Sequence, residues 1–412
     1  MNRFLYCILV CLLISFTGTA QNGWTIYNST NSPLPENSVR CITIDQNGLK
    51  WIGTDYGLAS FDDINWTVYQ TTNSGLPDNS IRSLAIDQQN NLWIGTFLGG
   101  LVKFDGSNWT VYNTGNSDLP DDFVRCLVVD TLNNKWIGTI GGLAYFDDVN
   151  WVLYNTSNSI LGSNNIGSIY VDESDNSVAI GTINGGLTLI NDTAWTPYTI
   201  WNSNLPDNTI LGLDEDSSGV LWLATPAAGL SAHIGGFGFL TFNTASSTIA
   251  SNSLTSISIA PDETIWVSSN DSGIIKRDGS TFEVYNTLNS PLPDNFVHTI
   301  HADDQGIIWI GTMQGGLIRF DESLYLPVKE TIATLPVQLF PVPANEKLFI
   351  KVEDKTIKHV FLYDTYGKLI TGKIVNANNT SFDTFELPSG IYIAKIVCDY
   401  GIVASKMFSI MH

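Results

Sequence analysis

Residues 76–117 read LPDNSIRSLAIDQQNNLWIGTFLGGLVKFDGSNWTVYNTGNS. The stretch holds four short runs rich in β-branched and aromatic residues: IRSLAID, LWIGT, GLVKF and NWTVYN. Turn formers separate them. Gly99 and Gly100 suit positive φ between the second and third runs, and Asp105-Gly106 suits a tight hairpin between the third and fourth. No helical period runs through the stretch. It therefore predicts four antiparallel strands, named A to D in order.

The WIGT of run B recurs at Trp51, Trp93, Trp136 and Trp309, with looser copies beginning at Ala179, Trp222 and Trp266. Their spacings are 42, 43, 43, 43, 44 and 43 residues, which makes seven units. Four strands at such a period are the pattern of a β-propeller blade. The seventh unit has runs A (FVHTIHAD), B (IIWIGT) and C (GLIRFD) but no aromatic run D. Residues 22–28, NGWTIYN, are a run D with nothing of its own before it. The two fragments sum to one blade, and pairing them would close the ring and cover a bare strand edge. The expected fold is all-β: a seven-bladed β-propeller with N-terminal strand closure over residues 21–325, then a linker at 326–334 and a small β-sandwich over 335–412.

Charge supports that division. Residues 21–325 carry 9 Lys+Arg and 32 Asp+Glu, a net of −23, whereas residues 326–412 carry 9 Lys and 8 Asp+Glu, a net of +1. An acidic ring argues against nucleic acid as a partner, since phosphate binding needs a basic face. Residues 1–20 have Arg3, an apolar run from Phe4 to Phe16, and small residues at Gly18 and Ala20. This is the pattern of a secretory signal peptide, too short for a spanning helix. No later stretch is long and apolar enough to span a membrane. Of five cysteines, Cys7 and Cys11 lie in the leader; Cys41, Cys126 and Cys398 are too few for a disulfide framework.

The repeat resembles the two-component regulator propeller family, whose motif looks like D-x-x-G-x-L-W-I-G-T-x-x-G-G-L. Asp303 to Leu317, DDQGIIWIGTMQGGL, matches it, and the resemblance spans roughly residues 22 to 322. Blades 4, 5 and 6 depart from it, with Ala179 for Trp, then ATPAAGL and SSNDSGI. The resemblance implies a sensing propeller, here expected to work with a separate transducer. The tail resembles the C-terminal sorting domain of type IX secretion of the Bacteroidetes group, on LFPVPANEKLFIKV, VFLYDTYGKLI, FELPSGIYIAKI and KMFSI. Val342 stands where the family has Asn. That resemblance implies the type IX secretion machinery as partner, export across the outer membrane, and a secreted or cell-surface location.

The catalytic signals are sparse. No H-E-x-x-H, G-x-S-x-G or phosphate loop occurs. His298 and His301 lie three apart on a strand, where odd spacing would point them to opposite faces and keep them from sharing a metal. The Asp- and Asn-rich A–B turns lack the ligand number and closing Glu of a calcium loop, and read as Asx turns. No catalytic residue, metal or cofactor is expected. Most tryptophans occupy fixed repeat positions and read as core, but Trp201 falls off the pattern in a D–A connection.

One register stands out. The second residue of strand A is, blade by blade, Arg40, Arg82, Arg125, Gly167, Leu211, Thr255 and His298. Blades 7, 1, 2 and 3 are contiguous, so His298 and three arginines should form an arc at the funnel mouth. Arginine binds carboxylate, sulfate or phosphate through its planar fork. The variable B–C loops on the same face offer Tyr56, Phe97, Leu98, Asn184, Asn270, Asp271, Met313 and Gln314. Ligand-binding candidates are Arg40, Arg82, Arg125, His298, Tyr56 and Phe97. The competing reading is that each arginine pairs with a loop acid such as Asp78 or Asp121 and only braces the ring. Three functions follow in order: a non-catalytic module for a carbohydrate or protein ligand, a sensory component with a separate transducer, and a metal-dependent lyase-type propeller.

Overall fold

The WIGT strand is built for complete burial. In blade 2 strand B, Leu92–Thr96, is buried at every position because both faces of a blade pack against neighbouring blades. Its glycine is a packing requirement. A Cβ on Gly95 would lie 2.6 Å from Val124 Cγ1 and 2.9 Å from the Val124 carbonyl oxygen on the next blade. Such approaches force something to shift, so in blade 2 glycine is what lets blade 3 come this close.

The computed structural model describes residues 19–21, 23–191, 193–324, 337–353, 355–364, 369–385, 387–398 and 403–412. Of the leader reading at residues 1–20, residues 1–18 lie outside them, as does the linker at 326–334. The chain divides into two compact units, with the division after residue 325. The described residues are all-β apart from two short 3-10 turns, Gly235–Phe237 and Glu322–Leu324.

The first unit holds seven antiparallel sheets of the A-B-C-D order. Blade 2 shows the pattern: A is Ile81–Ile86, B Leu92–Thr96, C Leu101–Phe104 and D Trp109–Tyr112. The seven A strands begin at Val39, Ile81, Val124, Ile166, Gly212, Leu254 and Val297. Each packs on the next, and the last, Val297–Ala302, packs on the first, Val39–Ile44. The ring is closed.

Closure uses the N-terminal fragment. Trp24–Tyr27 pairs antiparallel with Leu317–Phe320, strand C of blade 7, in the register Trp24↔Phe320 to Tyr27↔Leu317. The Asp321 N–H extends the seam by donating to the Gly23 carbonyl at 2.8 Å. Trp24 is 0% exposed and stacks on Phe320 with ring centres 4.0 Å apart. It joins a core with Trp266, Ile274, Tyr285 and Leu292 of blade 6. Thr19–Gln21 adds a short fifth strand outside Trp24–Tyr27.

The second unit is a two-sheet sandwich. A three-stranded sheet joins Val337–Phe340, Lys347–Val352 and Asn379–Asp383, and a four-stranded sheet orders Leu369–Ala377, Ile357–Asp364, Gly390–Cys398 and Val403–Ile410. Lys347–Val352 alternates exposed and buried residues, the pattern of a strand with one face on a core. Leu348, Ile350, Val360, Leu362, Ala394 and Ile396 fill that core.

Candidate functional site

The arginine register has a structural cause. Strand A carries a β-bulge at its start in blades 1, 2, 3, 4, 6 and 7, where two residues oppose one on strand B. The extra residues are Arg40, Arg82, Arg125, Gly167, Thr255 and His298. A bulge breaks the in-out alternation and re-aims one side chain. It thus frees these side chains from the fully packed faces between blades.

Asp55 organises the first two arginines. It opens the B–C loop of blade 1. Its Oδ2 accepts from Arg40 Nε at 3.0 Å, from the Arg40 terminal nitrogen at 2.7 Å and from Ser38 Oγ at 2.7 Å. Its Oδ1 lies 3.3 Å from an Arg82 terminal nitrogen and accepts from Ser80 Oγ at 3.3 Å. One carboxylate thus bridges two blades. Burial pushes the Asp55 carboxyl up, but hydrogen bonds from Arg40 and Ser38 and the two guanidinium charges outweigh it and hold it below the usual value. The bracing expectation therefore holds for two arginines, through a different acid. Asp78 and Asp121 are occupied by backbone groups: Asp78 accepts the Ser80 N–H and the Leu98 N–H of the B–C loop, and Asp121 accepts that of Phe123.

Arg125 is different. Among the described residues no carboxylate forms an ion pair with it; its buried Nε, like that of Arg82, has no hydrogen-bond partner. Its guanidinium lies 5.0 Å over the Phe123 ring, and that of Arg82 lies 4.9 Å over the Phe97 ring. Phe97 and Phe123 meet edge to face at 4.8 Å. Arg82, Phe97, Phe123 and Arg125 therefore form one continuous cation–aromatic run across blades 2 and 3.

His298 closes the arc on the other side. Its ring meets Phe296 edge on at 5.0 Å, and its buried Nε2 has no partner. Burial, reinforced by the Arg40 charge and opposed by Asp55, pulls its pKa from 6.5 to about 4, so it is neutral at pH 7. At the mouth Asp55 pairs with two of the three guanidinium groups, and the charges of Asp78 and Asp294 act from further off on Arg82 and His298.

The structure brings Arg40, Arg82 and His298 together around Asp55, and joins Arg125 through Phe97 and Phe123. Tyr56 is linked only through its loop; it is 61% exposed, and its carbonyl accepts from Gln70 Nε2. The strand-alternation argument for His298 and His301 is corrected by the bulge. The two are kept apart by position along the strand, with His298 among Arg40, Asp55 and Arg82 and His301 near Asp303 and Asp304. No group of three His, Cys, Asp or Glu suited to a metal occurs among the described residues. Trp201, in the D–A connection, is 85% exposed.

Asp55, Phe123 and Phe296 escaped the sequence reading. A signal for Asp55 was present. The first residue of the B–C loop is Asp55, Phe97, Ile140, Ile183, Pro226, Asn270 or Met313, so blade 1 alone puts a charge there. A cleft of about 990 Å³ lies elsewhere, at the closure seam, lined by Asp45, Lys50, Asp63, Asp304, Trp309 and Arg319 among others.

The repeat motif also gains a reason. Asp87 Oδ2 accepts from Trp93 Nε1 at 2.9 Å, and the pairs Asp216–Trp222 and Asp303–Trp309 repeat the bond at 2.8 and 3.0 Å. The other oxygen of Asp87 accepts N–H groups of Gln89 and Asn91, as in an Asx turn.

The two-component regulator propeller family matches residues 75–97 and 291–314, and the secretion system C-terminal sorting domain family matches residues 338–409. The ring carries regulator-propeller repeats, and the tail is a sorting domain. Such a tail directs export to the cell surface or beyond and engages the type IX secretion machinery. No described helix is long and apolar enough to cross a membrane. No curated protein matches the chain.

Solved structures share the fold. The extracellular domain of a hybrid two component system from B. thetaiotaomicron aligns with a TM-score of 0.66 at 21% identity, over 95% of this chain and 57% of that one. PorZ, a surface component of the type-IX secretion system of Porphyromonas gingivalis, aligns with a TM-score of 0.57 at 14% identity, over 92% and 60%. The chain thus spans less than two thirds of either. A virginiamycin B lyase from Staphylococcus aureus aligns with a TM-score of 0.57 at 15% identity, over 72% of this chain and 98% of that one.

Proposed function

We propose that the exported ring is a non-catalytic binding module whose carbohydrate or protein ligand docks on the funnel mouth through an anionic group. The observation that carries this reading is the placing of three arginines at bulge positions of contiguous blades, in a ring of net charge −23. A side chain needed only for packing has no reason to occupy the position that the bulge frees. Guanidinium groups lying on aromatic faces keep their edges available for an oxyanion. The test is an acidic-glycan array probed with the mature chain and with the Arg40→Ala, Arg82→Ala, Arg125→Ala triple variant. Wild-type signal lost in the variant supports the reading, and unchanged signal refutes it.

A sensory role with a separate transducer is the second reading. It is favoured by the regulator-propeller repeats and by the likeness to an extracellular domain of a two component system. In that case ligand binding at the same mouth is the input. Ligand consumed with release of a new product would instead favour the lyase reading.

A further inference from the structure

The three arginines are not equivalent, and their differences assign the anion to one of them. Arg40 is engaged twice by Asp55 and Arg82 once, so one internal carboxylate already answers this pair. Arg125 alone of the three has no acid within ion-pair distance among the described residues, and its buried Nε, like that of Arg82, is unsatisfied. A buried donor left unpaired costs about 1–3 kcal/mol, a penalty that an incoming acceptor would relieve. The neighbouring bulge residue in blade 4 is Gly167, which places no side chain beside Arg125. Apolar groups lie close by in the fold: Phe123 is under the guanidinium, Phe97 meets Phe123 edge to face and is 37% exposed, and Ile140 opens the B–C loop of the same blade at 40% exposed.

Resting on the binding-module reading above, we infer that Arg125 is the contact for the carboxylate of an acidic sugar, whose apolar ring face packs on Phe97, Phe123 and Ile140. Asp55 acts as an internal anion that withdraws Arg40 and Arg82 from ligand binding. The apolar wall favours a sugar over an acidic peptide. A sugar ring offers a C–H face to it, whereas a peptide backbone would bury amide groups against side chains that cannot hydrogen-bond with them.

The test uses the mature full chain and titration calorimetry at low salt, with oligogalacturonate as probe. Wild type should bind saturably, and raised salt should weaken binding because the contact is charged. Arg125→Gln, which keeps length and polarity but loses charge, should weaken binding about tenfold or more. Arg40→Gln should weaken it by a clearly smaller factor than Arg125→Gln, and Asp55→Asn should tighten it by freeing two guanidiniums. The methyl-esterified oligomer should bind about tenfold more weakly. Melting curves check that each variant is folded, and Arg125→Lys replaces Arg125→Gln if the latter is not. Equal losses for Arg40→Gln and Arg125→Gln overturn the assignment to Arg125 while leaving the arc as a binding surface. Equal binding of the ester overturns the role of the carboxylate. Binding of polyglutamate but not oligogalacturonate overturns the sugar. Failure of wild type to bind either probe overturns the inference together with the reading beneath it.

Discussion

Replacing Trp24 by Ala tests whether the N-terminal strand holds the ring. The indole is 0% exposed, stacks on Phe320 at 4.0 Å, lies 6.0 Å from Tyr285, and packs with Trp266, Ile274 and Leu292. Removing a fully buried aromatic side chain typically costs about 3–5 kcal/mol. A ring of about 300 residues unfolds with an entropy near 0.6 kcal/mol/K, at about 2 cal/mol/K per residue. The melting temperature should therefore fall by about 5–8 °C. Trp66, the counterpart in strand D of blade 1, stacks on Phe61 at 4.3 Å but is only half-buried. Trp66→Ala should cost roughly half as much. Circular dichroism melts of both variants and wild type would decide. If Trp24→Ala melted with or above Trp66→Ala, the seam would contribute nothing special. Deleting residues 21–29 should lower the melt further, since it also removes the pairing with Leu317–Phe320.

Two further predictions concern pH. His298 is depressed to about 4 by burial and the Arg40 charge, against 6.5 in the unfolded chain. Between those values the unfolded chain binds a proton that the folded ring does not, so stability present above about 6.5 is lost as pH falls toward 4. His298→Gln should flatten that decline, and parallel melting-versus-pH curves for variant and wild type would contradict it. Glu215 is raised from 4.5 to about 7 by burial and by the neighbouring charge and hydrogen bond of Asp172. Its contribution is present below 4.5 and lost as pH rises through 7. Glu215→Gln should raise the melting temperature at pH 8 and leave it unchanged at pH 4.5; a gain of equal size at both would sink the assignment.

The ring was legible because blade packing repeats: the WIGT strand must be buried on both sides, so its spacing counts blades directly. The seam was legible for the same reason, since an aromatic D run can satisfy its apolar face only against the blade that lacks one. The site was half legible. Arginine at a fixed register of strand A was visible, but VRCITI and VHTIHA read as ordinary strands, and the bulge appears only when the residues of strand B are laid opposite. That is why alternation alone does not set how His298 faces relative to His301. Asp55 was missed for another reason. Its loop was scanned for contact residues, whereas its meaning lies in charge: a lone acid at a position that is otherwise apolar or neutral, facing two arginines from different blades.

The clasp joins Trp24 to Phe320, residues 296 apart in the chain. As a chain made from its N-terminus lengthens, the strand that locks the circle is the first to be ready and the last to find its partner. Contacts of such long sequence separation form slowly. Until blade 7 exists, Trp24 and Ile26 stay uncovered and strand C of that blade has no neighbour on its outer side, the condition that invites mispairing. Once joined, the array has no terminal repeat. An open stack of repeats can fray from its ends one unit at a time, whereas here opening any blade means breaking the whole circle.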